Sequence, residues 1–471
     1  MLKTRIWFRL GAGLVLLLLA AFIALLAWPT APPGPEAIAK RGLAPPDTSF
    51  SITKPATWRT SCGSPRDWVE QGMDNFSHWD MNPWKTKKIA FFEHFGNLCR
   101  SEDPKDQAEV QRLLKLGREW YERMLARYPE LAVHFRDVPD DKNALLRLMK
   151  LVQSKKKGPL YYDFGIPRAF GDQLQNKQPW NPAAVKTWMD ANRPLMDELR
   201  AIGLMADRSR KGIDYKQMPS VYGDCLATAM LLNARLAAES GDLAGCMEMI
   251  RATNGMADHF QQADGSLVAD AFAATRIRSL VQDYVFSGIL PSIPAGQVNP
   301  AEWEQILNPT VRQPAALANL LKASWNSFTP DEILAALADS TNPQLPSDPE
   351  ALAEAYTRHT LAVVQFYEKL SLGEMPSTPF PEIDTSGLSW RSRKIANHLG
   401  EIGDLQGYWE RTQLQTGMTQ AAFAILKGQP VPNDPIYGKT FQWNPETREL
   451  TCPDGPEFSK MDEIRLKLPR L

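Results

Sequence analysis

The chain has no surplus of either charge: 53 Lys and Arg stand against 54 Asp and Glu over 471 residues, a formal net charge of −1. A nucleic-acid partner needs a basic face to displace counterions from phosphates, and this balance argues against one. The one short basic run, Lys155-Lys156-Lys157, is followed by Gly158-Pro159 and reads as a solvated loop. Histidine is scarce as well. None of His78, His94, His134, His259, His359 and His398 has a second histidine three or four residues away, the spacing that puts two metal ligands on one helix face. Asp74, His78 and Asp80, or Glu93 with His94, could gather around an ion, but such clusters arise readily by chance. No G-x-S-x-G nucleophile elbow occurs. Tyr437-Gly438-Lys439-Thr440 ends like a phosphate-binding loop, yet Asn433 stands where the first glycine belongs and Pro435 stiffens the loop. Neither a cofactor nor a metal is expected, and strand-like alternation is nearly absent before the tail.

What is present begins at the N-terminus. Lys3, Arg5 and Arg9 precede an uncharged stretch from Leu10 to Trp28, and about 20 apolar residues suffice to cross a bilayer's hydrocarbon. Basic residues on the N-terminal flank hold that end in the cytoplasm, so the remainder faces outward. A cleaved signal peptide is the rival reading. It calls for a shorter apolar region and a small-x-small site, and Ala27-Trp28-Pro29 offers none. The expectation is an uncleaved signal anchor in a bacterial inner membrane, with the bulk of the chain in the periplasm.

Residues 29–54 carry Pro29, Pro32, Pro33, Pro35, Pro45 and Pro46, a semi-rigid spacer lifting the following domain off the membrane. From Trp58 to Phe95 aromatics crowd in, among them Trp68, Trp79, Trp84, Phe91 and Phe92. A small braced subcore is the favoured reading over a ligand-stacking surface, because large aromatics mostly serve cores. Five cysteines in an oxidising compartment leave at least one thiol without an intramolecular partner. Cys62 and Cys99 are the first candidates for a pair, with Cys452 a competing partner for either.

Beyond Asp103 the pattern is helical. A capping residue followed by proline marks starts at Asn181-Pro182, Asn299-Pro300, Thr329-Pro330 and Asp348-Pro349. Apolar residues recur at three and four spacing, as in Leu113, Leu116, Trp120, Met124 and in Leu352, Tyr356, Leu361, Val364. Between 219 and 260, Val221, Cys225, Ala229, Leu232 and Leu236 form one stripe, and Leu243, Cys246, Ile250 and Ala257 continue it on a returning helix. Gly241 can end the first helix and Asp242 cap the second, which makes an αα-hairpin. In such a hairpin Cys225 and Cys246 would be offset by roughly 15 Å along the axis, too far for a disulfide, so both read as core residues. The tail segments Lys439–Trp443 and Arg448–Cys452, around Asn444-Pro445-Glu446-Thr447, read as a small β-hairpin. The expected fold is therefore all-α, packed αα-hairpins in a bundle or irregular solenoid, with an N-terminal transmembrane helix and a short β tail. Length suggests two or three domains. The expected divisions are a flank and anchor (1–28), a linker (29–54), an aromatic-rich helical subdomain (55–165), a main helical domain (166–430) and a tail (431–471).

Three resemblances bear on function. Glu239-Ser240-Gly241 resembles the Glu-Ser pair of lytic transglycosylases, which implies Glu239 as a general acid on peptidoglycan strands. Those enzymes carry a second motif of Gly-Leu-Met-Gln type, and here only Gly245-Cys246-Met247-Glu248 stands nearby. The turn itself has an echo: residues 239–248 and 401–410 share Glu, Gly-Asp-Leu, Gly and Glu, while Ser240 becomes Ile402. With small Ala234 before it and Cys246 after it, the Gly-Asp-Leu turn resembles a tetratricopeptide hairpin, although no 34-residue period runs through the chain. Whether the echo is a true duplication stays open. Residues 220–452, through Leu232–Gly245 and Pro432–Trp443, are similar to a group of uncharacterised signal-anchored helical proteins of bacteria. That similarity implies an exported helical fold and no particular activity.

The function expected from these observations is a membrane-anchored, periplasm-facing binding or scaffold protein, non-catalytic, whose partner is a protein or a cell-envelope component. The alternative is a glycan-acting hydrolase or transglycosylase in which Glu239 or Asp80 works beside tryptophans in a cleft.

Overall fold

The computed structural model describes residue 98 and residues 101–155, 164–213, 219–294, 296–338, 349–389, 403–452 and 465–470. The anchor, the proline-rich spacer, the aromatic segment, Asp80, Cys62 and Cys99 lie outside the described residues. Among those described, no helix is long and apolar enough to cross a membrane. The described chain is mostly helical, with twelve α-helices and one small sheet.

Helix α1 (Pro104–Arg127) starts where Asp103 accepts a hydrogen bond from the Lys105 N–H at 2.8 Å. Its Leu113, Trp120 and Met124 are buried at the expected spacing. Short helices α2 (Ala144–Ser154), α3 (Arg168–Leu174), α4 (Pro182–Ala191) and α5 (Arg193–Gly203) follow, and the Asn181 side chain caps α4 by accepting from Ala184 N–H at 3.1 Å.

Helices α6 (Gly223–Glu239) and α7 (Leu243–Gln262) form the hairpin read from the sequence. Gly241 sits at φ +82°, its N–H reaching the Ala238 carbonyl while Asp242 N–H reaches that of Ala237. This left-handed closure satisfies two carbonyls of the final turn. Asp242 then caps α7 by accepting from Gly245 N–H at 2.9 Å. A single apolar stripe on α6 proves too narrow a description, because Leu226 through Leu232 are all buried. A helix enclosed on all sides is a central one. The Cys225 and Cys246 thiols are both free, within or against this core. Opposite α6, the end of α5 approaches α7 backbone to backbone. A Cβ on Gly255 would lie 1.8 Å from the Gly203 carbonyl oxygen, so only glycine fits.

Helix α8 (Val268–Tyr284) runs into a π-turn at Val285–Ile289. Helix α9 (Pro300–Leu307) is capped by Asn299 and closed by Asn308 in the left-handed conformation at φ 43°. Helix α10 (Ala315–Ala338) corrects one expectation: Thr329-Pro330 does not open a helix but lies inside this one. Leu317, Leu320, Leu321 and Trp325 bury its first half, and once nucleated a helix gains a bond per added residue, which carries it past the proline. Helix α11 (Pro349–Lys369) begins at Pro349 as expected and packs along α10.

Helix α12 (Gly403–Leu426) takes in the echo. It is described from Gly403, the counterpart of Gly241, onward, and Glu401 and Ile402 lie outside the described residues. Gly417, the counterpart of Gly255, also permits a close approach, but to the Pro435 ring rather than to a helix backbone. In the tail, β1 (Gln442–Asn444) pairs antiparallel with β2 (Glu449–Thr451) as the expected hairpin, β2 inside its expected segment and β1 running one residue past Trp443 into the expected turn. The sequence reading missed a third strand, β3 (Arg465–Lys467), which pairs with β2. One apolar cluster runs from Trp120 to Leu468 and includes residues of the helices and of the sheet.

Candidate functional site

Glu239 is placed at the hairpin tip, at the exposed end of α6. One carboxylate oxygen accepts from the Trp180 indole N–H and the other from Arg235 Nε, each at 3.0 Å. The Arg235 guanidinium lies over the Trp180 ring at 4.3 Å and donates to Tyr284 Oη at 3.1 Å. An aromatic ring does stand beside Glu239, but both carboxylate oxygens are engaged by donors of the same domain. Asp80, the other carboxylate of the enzymatic alternative, lies outside the described residues. Among the described residues no group of three or more His, Cys, Asp or Glu side chains is placed to hold a metal ion.

The polar chemistry gathers elsewhere, in a cavity of about 360 Å³ between α7, α8, α12 and the loop after α9. Helical spacing explains the walls. Asn254, Asp258 and Gln262 follow one another by one turn along α7; Arg278 and Gln282 do so on α8; Thr412, Thr416 and Thr419 do so on α12. The fourth wall is the segment Leu307–Arg312, which leaves α9 through the left-handed Asn308. It is pinned from both sides: the Asn254 amide reaches the Ile306 and Leu307 carbonyls at 3.4 Å, and the Gln420 amide reaches Pro309 at 2.7 Å. The Arg312 main-chain N–H donates to Gln413 Oε1 at 2.7 Å.

At the centre, Asp258 Oδ1 accepts three donors: Arg278 Nη2 at 2.5 Å, Gln262 Nε2 at 2.6 Å and Arg312 Nη2 at 3.2 Å. Arg278 Nη1 also donates to Gln261. Two guanidiniums thus share one carboxylate, and Arg208 stands close behind, donating to Gln262. Burial pulls Arg312 down to about 10, the neighbouring Arg278 charge adding to the effect and Asp258 opposing it. Burial also lowers Arg278, against the pull of Asp258. Both remain cations at neutral pH. Each costs free energy to bury, and an added anion would offset that cost. Asp258 is the only carboxylate among the described residues lining the cavity, and it is occupied by donors, so the lining offers no acid–base pair. The chemistry it offers is recognition of an anion.

Reading the sequence by apolar stripes missed this site. The signal was there in the complementary pattern, polar residues at one-turn spacing on helices otherwise buried. Comparison with protein-family models, curated proteins and solved structures returns no match to this chain.

Proposed function

We propose that this chain is a membrane-tethered binding protein of the bacterial envelope. The basic flank and apolar span hold it in the inner membrane, the proline-rich segment spaces it outward into the periplasm, and the helical domain receives an anionic group of an envelope component in the arginine-lined cavity. The observation that carries the binding reading is the two-to-one ratio of guanidinium to carboxylate among the side chains lining a cavity of ligand size. An anion supplied from solution would complete the charge balance and draw on the fork geometry of arginine. The test is a thermal-shift screen of the detergent-purified full chain against small anions. At least one anion is expected to raise Tm in the wild type and not in the double variant Arg278→Gln, Arg312→Gln. Equal responses in both proteins would refute the site. Tethering is tested by carbonate extraction of membranes, from which the full chain should not be released while a chain beginning after Phe50 should be soluble.

The indole of Trp180 beside Glu239 gives the glycan-acting alternative its one support. Release of sugar from purified peptidoglycan by the wild type, and not by Glu239→Gln, would reverse the order of the two readings.

A further inference from the structure

The charge and lining of the cavity narrow the ligand further, on the footing that the cavity is a binding site at all. Two lining arginines face the single aspartate, and Arg208 behind Gln262 adds a third positive charge, so the local excess is two. An anion of one or two charges reduces that excess without reversing it. Arg278 commits Nη1 to Gln261 and Nη2 to Asp258. Arg312 commits one Nη2 hydrogen to Asp258, and among the described residues its Nε and Nη1 donors have no partner. The second Nη2 hydrogen still makes a planar fork with one of these neighbours, and the group that matches such a fork with two parallel bonds is a carboxylate or a phosphate oxygen pair.

The rest of the wall says what the anion is attached to. Val281, Leu307 and Pro309 are the apolar members; the others are amides, threonine hydroxyls, the two arginines and Asp258. Gln413 lends its Oε1 to the Arg312 main chain, which leaves its NH₂ as a donor, and Gln282 lends its NH₂ to the Gln415 carbonyl, which leaves its Oε1 as an acceptor. Thr416 donates to the Thr412 carbonyl and keeps its lone pairs. An aliphatic or aromatic body would strand these groups without partners, at a cost for each. A body bearing hydroxyls, which both donate and accept, would satisfy them. We infer that the cavity binds a hydroxylated small anion of the sugar-acid or sugar-phosphate type, its acidic group on the Arg312 fork beside Arg278 and its hydroxyls on the amide and threonine wall.

The experiment is isothermal titration of the detergent-purified full chain with four probes: glucuronate, glucose, glucose 6-phosphate and hexanoate. Glucuronate is expected to bind saturably, with glucose and hexanoate at least about tenfold weaker, the worth of one or two charge-assisted bonds. Arg312→Lys keeps the charge and removes the fork, and should weaken glucuronate by about tenfold. Asp258→Asn raises the excess to three charges and should shift preference toward glucose 6-phosphate. Tight hexanoate binding would overturn the hydroxylated body. Binding of glucuronate or glucose 6-phosphate that Arg312→Lys leaves unchanged would overturn the fork while leaving the anion site standing. If no probe binds, and Arg312→Gln lowers Tm as far as Asp258→Asn does, the arginines are structural and the binding reading falls with this one.

Discussion

Two arginine–aspartate centres lie on opposite ends of the same polar chemistry, and the difference between them separates a structural pair from a site. At the first, Arg210 Nη1 meets Asp270 Oδ2, which also accepts from the Leu267 main chain at 3.0 Å, while Oδ1 accepts from Ser220 at 2.7 Å. The two side chains are 5 % and 2 % exposed. Among the described residues Asp270 accepts three bonds, one of them from Arg210, and neither side chain opens to solvent. At the second, Arg278 and Arg312 share Asp258, with exposures of 22 %, 22 % and 31 %, at the wall of a cavity. The first centre is complete within the chain. The second has a charge to spare and room beside it, which is what a ligand needs.

The sharpest way to break this comparison is to remove the anion from the closed centre. Asp270→Asn removes the carboxylate that faces the buried Arg210 charge and should cost about 3–5 kcal/mol, read as a fall in the urea midpoint; a loss under about 1 kcal/mol would mean that the pair is not the closed structural unit described. His259 probes the closed side of α7, one residue from Asp258. It is fully buried, with Nε2 donating to the Ile202 carbonyl at 2.8 Å, and burial pulls its pKa down to about 4. Between that value and the ordinary pKa near 6.5 the unfolded chain binds more protons than the folded one. Stability should therefore rise by about 3 kcal/mol from pH 4 to 6.5 on this residue's account and stay level on either side of that window. His259→Gln should remove that part of the slope; an unchanged slope would assign it to other groups.

The open centre should answer differently to the loss of each sign. Asp258→Asn leaves two partly wet cations without their anion and should cost about 2 kcal/mol. Arg312→Gln leaves one cation on one anion, a balanced pair, and should change stability by about 1 kcal/mol or less. Equal losses from the two substitutions, measured by urea unfolding at neutral pH without added anions, would erase the distinction between the centres.

How far these features were legible follows their range along the chain. The turn at Gly241-Asp242 and the caps at Asn181 and Asn299 are local agreements between residue type and backbone, so the sequence reveals them. Pro330 shows the limit of the same local rule, since the packing of residues 315–325 carries the helix through it. Every third or fourth apolar residue marks one face of α6, whereas its enclosure depends on neighbours from α5, α7 and α8. Strand β3 owes its existence to pairing with β2, not to its own three residues. The cavity is the extreme case. Asp258, Arg278 and Arg312 are single residues on three segments, and nothing in their spacing announces that the fold will bring them to one oxygen.

The smallest effect belongs to the hairpin tip. Glu239 pairs with Arg235 in a third arginine–carboxylate contact, at the surface, where the carboxylate side chain is 28 % exposed. Glu239→Gln keeps one oxygen for the Trp180 indole and gives up the charge, while Arg235 keeps its stacking on Trp180 and its bond to Tyr284. The expected loss is about 0.5 kcal/mol, smaller in high salt because the pair is screened. Binding of glucuronate at the distant cavity should not change. A loss of several kcal/mol, or weakened glucuronate binding, would make the hairpin tip part of the working surface and leave the open centre no longer distinct from it.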